Sequence, residues 1–216
     1  YWRTMKSKNK RILYLLLASL TLCAFGIMYT WTVFSSAIIN DIGISASQFA
    51  LVFSICLIIY SLGGVFGGLL YAKLPYKTMS IIFAILVGIG LFLTSLSNSL
   101  LELILYFGIV FPFSAGYLYK TLLAAIISWY GDKPGFASGA VLTGIGLSAF
   151  VFNVPTAMMI NTYGWRTTMQ ILSLIAFMVT FVTVITVVPK TKPVHKTSSP
   201  YKPMSIIKNP KFYLYY

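Results

Sequence analysis

Six long apolar runs divide this chain, at roughly Ile12 to Ile39, Gln48 to Ala72, Thr78 to Leu96, Leu100 to Ile127, Phe136 to Ile160 and Thr168 to Val188. Each is about as long as, or longer than, the roughly 20 residues a helix needs to cross a hydrocarbon core of about 30 Å. Hydrophobic residues make up 58% of the chain and charged ones 9%. A soluble domain needs about 25% charge to cover its surface, so a soluble core is excluded. The expected fold class is an all-α membrane protein with six transmembrane helices.

The cations between the runs record an orientation. Of the 16 Lys and Arg residues, all but Arg166 and Lys120 fall before the first run, in alternate gaps, or after the last. By the positive-inside rule, the N-terminus and the segment after the sixth run are expected to be cytoplasmic, in a multi-pass protein of the plasma (inner) membrane. The formal charge of +13 is spread over short membrane-edge loops, which points to topogenic charge and lipid contact rather than nucleic acid. Cys23 and Cys56 lie inside apolar runs, and His195, the single His, lies in the tail. No disulfide, metal site or cofactor is implied.

The domain organisation follows: a basic segment 1–11, a six-helix bundle 12–189, a Lys/Pro/Ser-rich linker 190–211 and the start of a further apolar run at 212–216. The linker has no apolar period and reads as a flexible connection between two membrane units, so a second half is expected to follow.

Small residues cluster within the runs. Gly63, Gly64, Gly67 and Gly68 make overlapping G-x-x-x-G pairs in the second run; Gly135 and Gly139 make another at the start of the fifth, continued by Gly144 and Gly146. Such stripes let helix backbones approach closely in lipid. The fourth run holds the one cation at depth. It reads Pro112, Gly116, Tyr117, Tyr119, Lys120, with Lys120 about eight residues, or about 12 Å, from Ser128. An uncompensated ammonium at mid-bilayer costs at least roughly 2.5 kcal/mol, so it faces water, a partner or a ligand, or its stem snorkels to the interface. The three acids, Asp41, Glu102 and Asp132, all map to run ends or loops. With no carboxylate at depth, a small organic anion is the simplest partner for Lys120, and no catalytic constellation suggests an enzyme.

Several separated motifs then carry a resemblance. Trp129-Tyr-Gly-Asp-Lys-Pro-Gly-Phe-Ala-Ser-Gly139, with Gly144-Ile-Gly146, resembles the loop and fifth helix of the oxalate/formate antiporter (monocarboxylate transporter-like) group of the major facilitator superfamily. Tyr29-Thr-Trp31, Tyr163-Gly-Trp-Arg166 and Lys208-Asn-Pro-Lys-Phe212 are similar to that group's motifs in the first helix, before the sixth and before the seventh. The resemblance implies the amino-terminal half of a twelve-helix fold, built from two inverted three-helix repeats, whose first and fourth helices line a central cavity. On that basis Tyr29 and Tyr119 are carried over as aromatic walls of a carboxylate site beside Lys120. Trp31 and Asn153 are further candidates for the same cavity, as polar-capable side chains in apolar runs.

Two departures stand out. The superfamily's loop between helices two and three usually has an Asp where this chain has Ala72 and a Gly where it has Pro75; Gly68, Lys73 and Lys77 remain. The conformational latch assigned to that Asp is expected to be weakened, or to pass to an acid such as Asp132. Oxalate-type members also tend to have a small residue at the Lys120 position, so Lys120 either serves a different anion or replaces a cation of the unseen half. The expected function is secondary transport by alternating access of small carboxylates such as lactate, pyruvate, formate or oxalate, with protons or a counter-anion as coupling partner. A carrier of another solute (sugar, nucleoside or drug) and a non-transporting sensor are the alternatives.

Overall fold

The computed structural model describes residues 8–70 and 76–189. The expected linker 190–211, the segment 212–216, most of the basic segment 1–11, Lys73 and His195 lie outside the described residues. Within them the chain is helical with no strand: α1 (Lys8–Phe25), a 3₁₀ segment (Gly26–Phe34), α2 (Ser35–Ile42), α3 (Ala46–Leu70), α4 (Tyr76–Ser95), α5 (Leu100–Leu103), a π-helical segment (Ile104–Val110), α6 (Phe111–Trp129) and α7 (Pro134–Val187). Five helical runs among these are long and apolar enough to cross a membrane.

The sixth crossing is hidden inside α7. At 54 residues it would stretch about 80 Å if straight, far more than one bilayer crossing. Gly164 breaks it, with φ 80° and ψ 163°, a conformation that favours glycine. The side-chain bonds show that the chain reverses there. Ser19 Oγ donates to the Ala140 carbonyl and Thr21 Oγ1 to Thr183 Oγ1, so both arms of α7 meet α1 at the same level. A straight helix would hold residues 140 and 183 about 65 Å apart. The expected six spans are therefore α1 to α2, α3, α4, α5 to α6, and the two arms of α7.

Local chemistry sets the turns between spans. Gly43, at φ 74°, closes α2 and donates its N–H to the Ile39 carbonyl, the usual glycine helix stop. Ser45 and Gln48 then form a reciprocal capping box, Ser45 N–H to Gln48 Oε1 at 2.8 Å and Gln48 N–H to Ser45 Oγ at 3.2 Å. Ser99 caps α5 by accepting from the Glu102 N–H, while the Glu102 carboxylate accepts from the Asn98 N–H at 2.7 Å.

Charged groups gather at two edges. At one, Arg11 Nη1 meets Asp132 Oδ1 at 3.3 Å and Lys77 Nζ donates to the Ile185 carbonyl at 2.7 Å. Trp129 Nε1 reaches the Val187 carbonyl at 3.4 Å there too, so the sixth span's last carbonyls find donors from other spans. At the opposite edge Arg166 Nε and Nη2 donate to Asp41 Oδ2 at 3.1 and 2.9 Å. Its Nη1 donates to the Ser95 carbonyl, its Nη2 also to Asn98 Oδ1, and Trp165 Nε1 adds a bond to the same Asp41 oxygen. One guanidinium thus ties the ends of spans one, three and six.

Four of the glycines expected to pack helices do meet another span. A Cβ on Gly63 would run into the Phe113 carbonyl, one on Gly144 into the Ser19 carbonyl, and one on Gly64 or Gly67 would meet Lys120 or Tyr117 atoms at 3.3–3.4 Å. Gly116 answers Gly63 from the other side, facing the Tyr60 carbonyl. The pair Gly135 and Gly139 is different. Beside each, a Cβ would meet nothing within 4 Å, so that stripe is not a packing contact among the described residues; it points away from the neighbouring spans.

Two outcomes follow. Gly144→Leu should cost about 1–3 kcal/mol through overpacking, while Gly139→Leu should be close to neutral, as read from thermal unfolding of the purified full-length protein. Arg166→Lys should lower the same stability by about 1 kcal/mol, because a lysine cannot hold the planar fork across three spans and the site is partly exposed to screening.

Candidate functional site

Three tyrosines from three spans converge. Tyr29 of the 3₁₀ segment, Tyr60 of α3 and Tyr119 of α6 line a cavity of about 150 Å³, completed by Phe25, Met28 and Ile145. The Tyr60 and Tyr119 rings lie 6.0 Å apart between centroids, tilted by 35°. Tyr29 is 43% exposed, so the cavity opens outward from the bundle. Each phenol brings a donor and an acceptor to an otherwise apolar space.

Lys120 lies beside this cavity. Its Nζ is 5.2 Å from the centroid of the Tyr119 ring, within range of a cation–π attraction. The stem packs against Gly64, where a Cβ would touch Lys120 Cγ and Cε at 3.4 Å. The side chain is exposed at the bundle surface. No acid of this chain neutralises it: Asp41 is held by Arg166, Asp132 by Arg11, and Glu102 by the Asn98 N–H. These are the only three acids in the sequence.

The expected residues therefore divide. Tyr29 and Tyr119 line one cavity, and Lys120, the residue after Tyr119, lies beside it without lining it. Trp31 does not join them: it is 1% exposed, its ring is stacked on Phe49 at 4.5 Å and on Phe107 at 3.9 Å, and its Nε1 donates to the Phe49 carbonyl. It locks span one to spans two and four from within the core. Asn153 sits in the first arm of α7 and lines no part of the cavity; its buried Oδ1 has no hydrogen-bond partner among the described residues. Of the loop set, Gly68 lies in the last turn of α3, Lys77 caps the sixth span, and Asp132 pairs with Arg11, whose guanidinium also lies 6.0 Å from the Tyr130 ring centroid.

Tyr60 was not among the expected residues. Its signal was present, a tyrosine in an apolar span one turn before Gly64, on the face that carries the glycine stripe.

Comparison with known proteins agrees in kind. The sequence profile of the Major Facilitator Superfamily matches residues 16–216. The chain is 26% identical over 159 residues to the uncharacterized MFS-type transporter YhjX of Escherichia coli (strain K12), covering 74% of this chain and 40% of that protein. It is 26% identical over 149 residues to monocarboxylate transporter 13 of Rattus norvegicus, covering 69% and 35%. A similar match, 26% over 148 residues and 68% and 34% of the two chains, is to the MFS-type transporter pynF of Aspergillus niger. The chain thus spans less than half the length of these relatives.

An aqueous cavity can be tested directly. In a full-length protein with Cys23 and Cys56 replaced by Ser, Lys120→Cys and Tyr29→Cys should react with a water-soluble maleimide, because thiolate forms only where water reaches. Leu174→Cys, 57% exposed on the sixth span, should stay unlabelled. Equal labelling at all three positions would remove the distinction.

Proposed function

Because the chain belongs to the Major Facilitator Superfamily, we propose that it is the amino-terminal half of a carrier that moves small organic anions across the membrane by alternating access. The observation that carries this reading is Lys120, a cation at membrane depth beside three phenols and without an acid of its own chain. An ammonium in that setting is stabilised by an anionic ligand, and phenol hydroxyls supply directional bonds to its oxygens.

Size supports a small substrate. A cavity of about 150 Å³ is of the size that holds one benzene, so it suits a ligand of about six heavy atoms. Lactate, pyruvate, formate and oxalate are of that size or smaller. The name of the Rattus norvegicus relative, a monocarboxylate transporter, points to the same class, as does the resemblance to the oxalate/formate antiporter group. The opposing wall and the rest of the charge balance belong to a carboxy-terminal half, and coupling to protons or to a counter-anion is set jointly with it.

In this mechanism the anion enters from one side, pairs with Lys120 and accepts from Tyr29, Tyr60 and Tyr119. The two halves then rock about the site. The Arg11–Asp132 pair, between the start of span one and the loop after span four, takes over the latch role left vacant at Ala72. The basic edge, where Arg11 and Lys77 lie, faces the cytoplasm, and the membrane is the plasma (inner) membrane.

The test is uptake by the full-length protein in proteoliposomes, with labelled lactate, pyruvate, formate and oxalate. Lys120→Ala should weaken apparent carboxylate affinity at least about tenfold, or 1.4 kcal/mol, with insertion intact. Tyr60→Phe, which removes one neutral hydrogen bond, should weaken it about two- to tenfold. Unchanged transport in the Lys120 variant would assign that side chain to snorkelling, and competition by neutral sugars or nucleosides instead of anions would replace the substrate class.

A further inference from the structure

A second, apolar cleft lies elsewhere in the molecule. It runs between residues 85–93 of α4 and residues 170–177 of the second arm of α7, with a volume of about 640 Å³. Spans three and six contribute nothing to the tyrosine cavity, so the two openings are separate. Its floor exists because of one glycine. A Cβ on Gly88 would come within 2.7 Å of Phe177 Cβ, so the two helices touch there. Ile89, Phe92 and Leu174 form the walls and are 43–57% exposed.

The ends of the cleft differ in chemistry. At one end stands Arg166, whose Nη1 bridges to the Ser95 carbonyl of α4, with Asn98 bonded to it. One helical turn inward lies Gln170, which lines the cleft and makes no side-chain hydrogen bond within the described residues. Beyond Gln170 the lining is hydrocarbon and aromatic, apart from Ser173, whose hydroxyl is spent on the Gln170 carbonyl.

We propose that this cleft is a binding site for one phospholipid, with an acyl chain between spans three and six and its polar end at Gln170 and Arg166. Length, volume and polarity select this occupant over a partner helix. Residues 85 to 93 rise about 12 Å, close to one leaflet, whereas a spanning helix needs a groove over the full core of about 30 Å. The volume is about four times that of a cavity holding one benzene, so it has room for on the order of two dozen carbons. A membrane lipid matches the cleft in order from interface to midplane: a polar head at the Arg166 end, ester carbonyls that accept from the Gln170 amide, then hydrocarbon.

The experiment is native mass spectrometry of the full-length protein after detergent extraction from vesicles of phosphatidylcholine and phosphatidylglycerol. One phospholipid per chain should survive extraction. The double variant Ile89→Trp/Leu174→Trp, which fills the cleft from its exposed walls, should lose it, and Leu147→Trp, on the fifth span and 51% exposed, should keep it. Folding of each variant is checked by helical circular dichroism and a monodisperse elution profile. Where the double variant fails that check, photolabelling of the unmodified protein by a diazirine-acyl phosphatidylcholine decides: adducts confined to residues 85–93 and 170–177 support the site. Adducts spread evenly over the exposed apolar helices, equal lipid retention by a folded double variant, or a co-purifying membrane helix that displaces the lipid would each overturn it.

Discussion

The close approach of α3 and α6 fixes everything that follows around the tyrosine cavity. Lipid gives helices no hydrophobic reason to associate, so they are held by van der Waals contact and by bonds that only near backbones can make. Gly63 under the Phe113 carbonyl and Gly116 under that of Tyr60 bring the two axes together at one level. That contact sets Tyr60 opposite Tyr119, and one turn on, Gly64 lies against the Lys120 stem. The chemistry of the site is thus placed by residues that have no side chains.

Electrostatics then separates structural charge from available charge. The chain has three acids, and each is occupied where it stands: Asp41 in the knot around Arg166, Asp132 with Arg11, Glu102 at the start of α5. The first two pairs are partly exposed and contribute little to stability by themselves. Their effect is to fix which span ends lie together. Lys120, the one cation at depth, is left with an aromatic ring and open space.

Much of this was legible in the sequence. The spans were, because about 20 apolar residues in a row have one physical explanation, and so was the nearness of Tyr29 and Tyr119, which the family resemblance put in one cavity and which line one here. Three things were not. Trp31 looked like a polar-capable side chain in an apolar span, but its N–H is consumed by the Phe49 carbonyl and its faces by two phenylalanines, partners from other helices that spacing cannot reveal. Arg166 read as a lone cation on the sparse side, and its four-way bonding depends on Ser95 and Asn98, far away in the chain. The Gly135–Gly139 stripe had the same spacing as Gly63–Gly67, yet only the latter faces a helix. Periodicity tells which residues share a face and is silent on what that face meets.

The 3₁₀ segment Gly26–Phe34 has a geometric effect on span one as a whole. As a uniform α-helix, Thr21 and Asp41 would point roughly 200° apart around the axis. Nine residues wound at about 120° each instead of 100° add nearly half a turn and bring the two directions to within about 20°. Both then look toward the second arm of α7, where Thr21 meets Thr183 and Asp41 meets Arg166. The tight winding acts as an azimuthal corrector: it lets span one engage the same neighbour both within the bundle and at its far end, and it turns Tyr29 on the way between them.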